Sequence, residues 1–259
     1  MIDFQVDELK LYFGNEIKVA EGVVLKNPTI GEIVDYGEAS YFSMAQTLCA
    51  TPSSMKVQLD DIKLDWMKVS DFQLFTMLAQ GLKPEVTKIL LGDLDLTTLK
   101  PYQLANSDEI VLSNEDHTIT INEVMYEMLV TYLRKMHGFS KQVDKAGNSV
   151  THRVLLEVAR QDAKMAENKP HKSFLLPLVS ALQGRQGYTK DYIRQMGIFE
   201  FMNQINRVSI IVQADAALGG MYSGFCDTSK MDKSILDWTR EITEESKTKN
   251  KSIVKEGKN

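Results

Sequence analysis

Leu9-Lys-Leu-Tyr-Phe13, Gly14-Asn15, Ile17-Lys-Val19, Val23-Val-Leu25 and Asn27-Pro-Thr-Ile-Gly-Glu-Ile33 follow one another near the start of the chain, and their reading sets the fold class. The apolar residues of 9–25 alternate as in a β-hairpin. Gly14-Asn15 supplies the first turn, because both residues tolerate positive φ. Pro28 stands where a helix can begin, with Asn27 as its cap. Ile30, Ile33 and Val34, then Tyr41, Met44, Ala45 and Leu48, recur at helical spacing. Gly37 weakens this helix or divides it in two. A small sheet running into helices predicts an α+β fold.

The rest of the chain is predominantly helical by the same reading. Thr51-Pro52-Ser53-Ser54 is a loop and cap. Ser70 caps a helix with the apolar stripe Phe72, Leu74, Phe75, Leu78 and Leu82. Pro84 opens another, which stops at Gly92. Residues 109–112 and 118–121 predict a second hairpin, and 94–104 an extended stretch before it. Asn122 caps a helix that ends at Gly138. Helices are expected at about 151–167, with Val154, Leu155, Val158 and Ala159 inward, then from Phe174 to Leu182, from Thr189, and from Ile198 to Leu218. Gly219-Gly220 stops the last of these, and Lys230 to Arg240 forms a short helix. Residues 1–240 read as one globular domain, α+β and predominantly helical, with an N-terminal β-hairpin and a second small hairpin packed on a multi-helix core. A sub-boundary is marked at the polar loop 139–149. Residues 241–259 are a polar tail that cannot bury enough surface to fold by itself.

The 259 residues are 43% hydrophobic and 25% charged, ordinary for a folded protein with a real core. A net charge of −5 argues against whole-surface binding to nucleic acid. The charge is unevenly placed: residues 1–126 hold 9 Lys/Arg against 20 Asp/Glu, a net of −11, which leaves +6 for 127–259. The acidic half is either an assembly surface or a solvated face. Cys49 and Cys226 supply neither a disulfide framework nor a metal cluster, and read as buried free thiols in a reducing compartment. No apolar run reaches the roughly 18–20 residues needed to cross a bilayer. The first residues carry no basic region and no apolar signal core, which predicts synthesis in the cytoplasm.

Chemistry-bearing patterns are sparse. His117, His137, His152 and His171 pair with no other His or Cys at ligand spacing. An imidazolium at His137 suits the end of a helix. Gly184-Arg-Gln-Gly187 reads as a helix cap, and Ser223 lacks a neighbouring base. The acidic pairs are Asp60-Asp61, Asp93/Asp95 and Asp108-Glu109. Basic residues between 134 and 194 read as a solvated face or a phosphate-binding one. Met44, Met55, Met67 and Met77 read as core filler or as a partner groove. No catalytic residue, metal ligand or cofactor site is assigned.

Leu11-Tyr-Phe-Gly-Asn15, Asn27-Pro-Thr-Ile-Gly-Glu-Ile33, Tyr36-Gly-Glu38 and Tyr41-Phe-Ser43 resemble a family of uncharacterised proteins of tailed phages and prophages of Gram-positive hosts. So do Asp65-Trp66, Ser70-Asp-Phe-Gln-Leu-Phe75, Leu91-Gly-Asp-Leu-Asp95, Lys172-Ser173, Met221-Tyr-Ser-Gly-Phe225 and Asp227-Thr-Ser-Lys230. The N-terminal hairpin and its Pro-Thr-hydrophobic-Gly helix start are also similar to baseplate-hub assembly factors. This resemblance implies a non-catalytic tail or baseplate morphogenesis protein, an assembly chaperone or adaptor in the host cytoplasm. Its partners would be other tail or baseplate proteins, with no nucleic acid and no membrane; a homo-oligomer is left open. Tyr41, Phe42, Trp66, Phe72 and Phe75 are the expected partner anchors, as aromatic side chains usually are. The alternatives are a structural component retained in the virion, and a phage-encoded enzyme with Asp93, Asp95 and His117 as its site.

Overall fold

The computed structural model describes residues 5–104, 109–167, 172–223 and 232–242. They group into two units, Met1–Phe199 and Glu200–Asn259.

The first unit opens on a departure from the sequence reading. Residues 9–13 are not a strand: 9–12 belong to helix α1, Glu8–Tyr12, and Phe13 closes it, with the Asp7 carboxylate accepting from the Lys10 N–H as the N-cap. A strand would have set Leu9, Leu11 and Phe13 on one face. Only Leu11 is buried, while Leu9 and Phe13 face out. Gly14, at φ +75°, turns the chain out of this helix. The hairpin follows later, β1 at Ile17–Ala20 and β2 at Val23–Leu25, antiparallel. Its turn is Glu21-Gly22, with Gly22 at φ +71°.

The next helix is capped by Thr29 rather than Asn27. Thr29 Oγ1 accepts from the Glu32 N–H and the Glu32 carboxylate accepts from the Thr29 N–H, the reciprocal capping box. The Asn27 side chain is committed elsewhere, donating to the Leu11 carbonyl at 2.6 Å. Gly37, at φ +101°, divides α2 (Ile30–Tyr36) from α3 (Glu38–Leu48), a conformation that a side chain would strain.

Helices α4 (Lys56–Asp61), α5 (Asp71–Ala79) and α6 (Pro84–Leu91) begin and end near the expected signals. Ser70 and Gln73 form a second capping box, and Pro84 is the first residue of α6. The second sheet has three strands, not two: β3 (Lys100–Gln103), β4 (Ile110–Ser113) and β5 (Thr120–Ile121), antiparallel in that order. Helix α7, Glu123–His137, is capped by Asn122 and closed by Gly138 in the left-handed region. It packs on β1, β5 and α5. The largest fully buried side chains of the chain include Leu11, Ile33, Tyr41, Phe75, Leu90 and, on α7 itself, Tyr126.

Residues 139–148 carry no regular structure, yet they are pinned. Thr51 Oγ1 donates to the Gln142 carbonyl at 2.8 Å, and the Asp144 N–H donates to Ser53 Oγ at 3.0 Å. Helix α8, Ser149–Glu167, packs on α4. Its inward side is Leu156, with Leu155 and Ala159 half-buried; Val154 and Val158 point out, against expectation. Two anchors set this rotation. Leu155 and Leu156 enter a cluster with Ala50, Leu59, Trp66 and Leu74. Arg160 donates to Asp60 at 2.8 Å and Asp61 at 2.6 Å.

Helix α9, Leu175–Gln186, runs through Gly184 and stops at Gly187, φ +71°. Its first N–H groups, on Phe174 and Leu175, donate to the Glu38 carboxylate. Helix α10, Lys190–Gln195, starts from a Thr189 cap and packs on α2. Helix α11, Ile198–Ser223, begins with the Ile198 N–H donating to the Pro28 carbonyl.

The second unit holds most of α11. Gly219-Gly220 does not stop it, and the chain stays helical to Ser223. Its buried positions are Phe201, Ile210 and Ala214, while Val212 and Ala216 are exposed. The expected helix 230–240 reduces, within the described residues, to one 3-10 turn at Lys233–Leu236. Arg207 donates to the carbonyls of Trp238 and Arg240, and Arg240 donates to Gln213 at 2.9 Å. Cys226, His171, Asp108, the break at Asn168-Lys-Pro170 and the tail from 243 lie outside the described residues.

Candidate functional site

The five expected anchors fall mainly inside the fold. Tyr41, Trp66, Phe72 and Phe75 are buried, at 0%, 3%, 5% and 2% exposure, and Phe42 is half-buried. Phe72 and Phe75 pack on Tyr126, with ring centroids 5.6 and 4.8 Å apart. Trp66 stacks on His152 at 5.4 Å, and the Lys56 ammonium lies 5.7 Å from the Trp66 ring centroid. The contact area of these four aromatics is already used within the chain. Phe42 lies edge-on to Phe174 and Phe139, at 5.2 and 6.5 Å. Of the four methionines, Met44 is buried, Met55 lies against the Trp66 cluster, and Met67 and Met77 are exposed.

His137 is the sharpest departure in chemistry. It is 2% exposed and sits between two partners. Nδ1 lies 2.7 Å from the Leu133 carbonyl and Nε2 lies 2.6 Å from the Tyr41 hydroxyl. A carbonyl only accepts, so Nδ1 carries the proton and Nε2 accepts from Tyr41. Burial pushes the His137 pKa down to about 4, against a smaller opposing effect of the Leu133 carbonyl. The side chain is therefore a neutral imidazole at pH 7, not the imidazolium expected at a helix end. Burial also raises the Tyr41 pKa. The same cause pushes the Cys49 thiol up to about 12, which makes this thiol inert as a nucleophile.

The candidate acidic groups have local roles. The Asp93 side chain is 99% exposed and lies 3.9 Å from Lys88. Asp95 accepts from Thr97 N–H and Oγ1, capping a 3-10 turn. His117 occupies a left-handed turn position and pairs with Ser113 Oγ at 3.0 Å. Among the described residues, no group of three or more His, Cys, Asp or Glu is placed to hold a metal ion.

Part of the charge asymmetry is met within the chain. Acids of the first half meet bases of the second: Glu8 with Lys135, Asp35 with Arg194, Asp60 and Asp61 with Arg160, and Asp71 with Lys141. Several bases that could have met phosphates thus face carboxylates. The mostly buried Lys56 reverses the pattern, pairing with Asp144 and holding its carboxyl below the usual range.

Two surface features remain. The outward side of α8 carries Val150, Val154, Val158 and Met165, at 61%, 48%, 49% and 61% exposure. At 100° per residue these four fall within an arc of about 80°, an apolar stripe that the exposed Gln161 interrupts between Val158 and Met165. Apolar spacing alone places Val154 and Val158 inward; in the structure both are exposed. The second feature is a cleft of about 570 Å³ walled by α3, the turn at 51–58, the end of α7 and residues 139–142. No helix among the described residues is long and apolar enough to cross a membrane.

Comparison of the chain with protein-family models, with curated proteins and with solved structures finds no match.

Proposed function

We propose that this protein is a non-catalytic phage tail or baseplate morphogenesis factor, an assembly chaperone or adaptor that docks onto another tail polypeptide. The observation that carries the reading is the α8 stripe, Val150, Val154, Val158 and Met165, apolar and outward on a helix whose opposite side is well anchored. Clustered exposed apolar side chains on an ordered element are what docking sites offer. Arg153, Glu157, Asp162 and Lys164 flank the stripe and supply the polar rim of such a site. The sequence resemblance supplies the context of tail assembly. Of the expected aromatic anchors, Tyr41, Trp66, Phe72 and Phe75 are core residues and leave little surface for a partner.

The test is co-expression with each protein encoded beside its gene. The expected outcome is a stoichiometric complex with one neighbour, disrupted by Val154→Asp with Val158→Asp while the far-ultraviolet spectrum is unchanged. A complex that survives both substitutions, or none with any neighbour, contradicts the reading. Mass spectrometry of purified particles then separates a factor that leaves from a component that stays.

A further inference from the structure

The cleft at the end of α7 is lined by fourteen residues, and one of them carries a formal charge: Arg134. Its wall is otherwise hydroxyls and amides, among them Ser43, Gln46, Ser54 and Gln58, with apolar groups that include Met55 and Phe139. Arg134 is half-buried. One of its N–H groups serves the fold, with Nη2 donating to the Cys49 carbonyl at 2.9 Å and so capping the end of α3. The guanidinium has five donors. The others meet no acceptor, and no carboxylate pairs with Arg134, among the described residues. The nearby bases differ: Lys56 has Asp144 and Lys141 has Asp71. The Ser43, Gln46 and Gln58 side chains likewise make no hydrogen bond among the described residues.

The ends of α3 and α7 both border the cleft, and their carbonyls lend partial negative charge there. At α3 that partial charge is met by the Arg134 bond to the Cys49 carbonyl, which leaves the remaining guanidinium donors turned to the cleft. A planar fork held rigid at one corner, in a half-enclosed space, suits a carboxylate bound by two parallel hydrogen bonds. The surrounding hydroxyls and amides suit peptide N–H and C=O groups. The volume lies within the usual range for ligand sites.

We infer that this cleft is a carboxylate-binding site, with Arg134 gripping an acidic side chain of an extended peptide whose backbone is held by Ser43, Gln46 and Gln58. The site is independent of α8 docking.

The test is a nuclear magnetic resonance titration of the full chain, labelled with nitrogen-15. The probes are N-acetyl-Gly-Glu-Gly-amide, sodium acetate and sodium phosphate. The tripeptide should give a saturable shift at Arg134 Nε–H and at the amides of 49–51 and 138–142. Half-saturation should come at a concentration roughly tenfold lower than for acetate. Arg134→Gln should abolish the response to both. Arg134→Lys, which keeps the charge, should retain only a weak response because the fork is lost. Ser43→Ala with Gln58→Ala leaves the α3 cap intact, and should weaken the tripeptide roughly threefold while sparing acetate. A guanidinium that only caps α3 gives no saturable shift, and that result overturns the inference. So does a tripeptide no tighter than acetate, phosphate tighter than the tripeptide, or a response that survives in Arg134→Gln. Loss of the α8 complex in the co-expression test leaves these outcomes unchanged.

Discussion

Acidification should destabilise this protein through His137. In the folded chain its pKa is lowered to about 4 from an ordinary 6.5. The unfolded chain takes up the proton first as pH falls. The contribution is therefore complete above pH 6.5 and is lost progressively toward pH 4, where the folded form also protonates. At about 1.4 kcal/mol per unit, the loss attributable to this residue is about 2 kcal/mol at pH 5 and about 3 kcal/mol near pH 4. The groups around the ring are the Tyr41 hydroxyl, the Leu133 carbonyl and the rings of Phe42 and Phe139. Tyr41 stays neutral across that window, its pKa being raised further by burial. The assay is urea unfolding followed by circular dichroism at pH 7.0, 5.5 and 4.5, for the wild type and for His137→Gln. Carboxylates such as Asp144 titrate in both proteins and cancel in the difference. The variant should be less stable at pH 7, and the gap should close by about 2–3 kcal/mol by pH 4.5. A gap that is the same at both pH values refutes the buried neutral imidazole.

Thr29→Ala removes the acceptor for the Glu32 N–H and half of a capping box, and should cost about 1 kcal/mol in the same unfolding assay. Phe75→Ala empties a site 2% exposed and packed on Tyr126, and should cost about 3–5 kcal/mol. Asp144→Asn leaves the mostly buried Lys56 ammonium without its counter-charge, and should cost about 3 kcal/mol; Lys56→Met in the same background should recover part of that loss.

Helix ends were the most legible part of the sequence. Ser70, Pro84, Asn122, Gly138 and Thr189 each act within one or two residues of the boundary they mark, and all do so in the structure. Local chemistry misled where two motifs competed. Asn27 is as good a cap as Thr29, and only the distant Leu11 carbonyl shows which side chain is occupied. Residues 9–13 alternate like a strand, and the Asp7 cap turned them into a helix. Periodicity found α8 but not its rotation, because Val154/Val158 and Leu155/Leu156 are equally apolar. The packing of Leu156 beside Trp66 and the Arg160 pairs decide it. For the same reason the aromatic residues could not be sorted into core and surface by type. The Arg134 cleft was not legible at all. It joins residues from 43 to 142, and what marks Arg134 is a missing acid, which no spacing records.

Hydrogen–deuterium exchange, measured on the chain alone and mixed with the purified product of each adjoining gene, tests the docking account most directly. With one partner, amides of 149–167 should slow markedly while those of α5 and α7 keep their rates. Unchanged exchange across 149–167 in a mixture that nevertheless forms a complex would contradict the account.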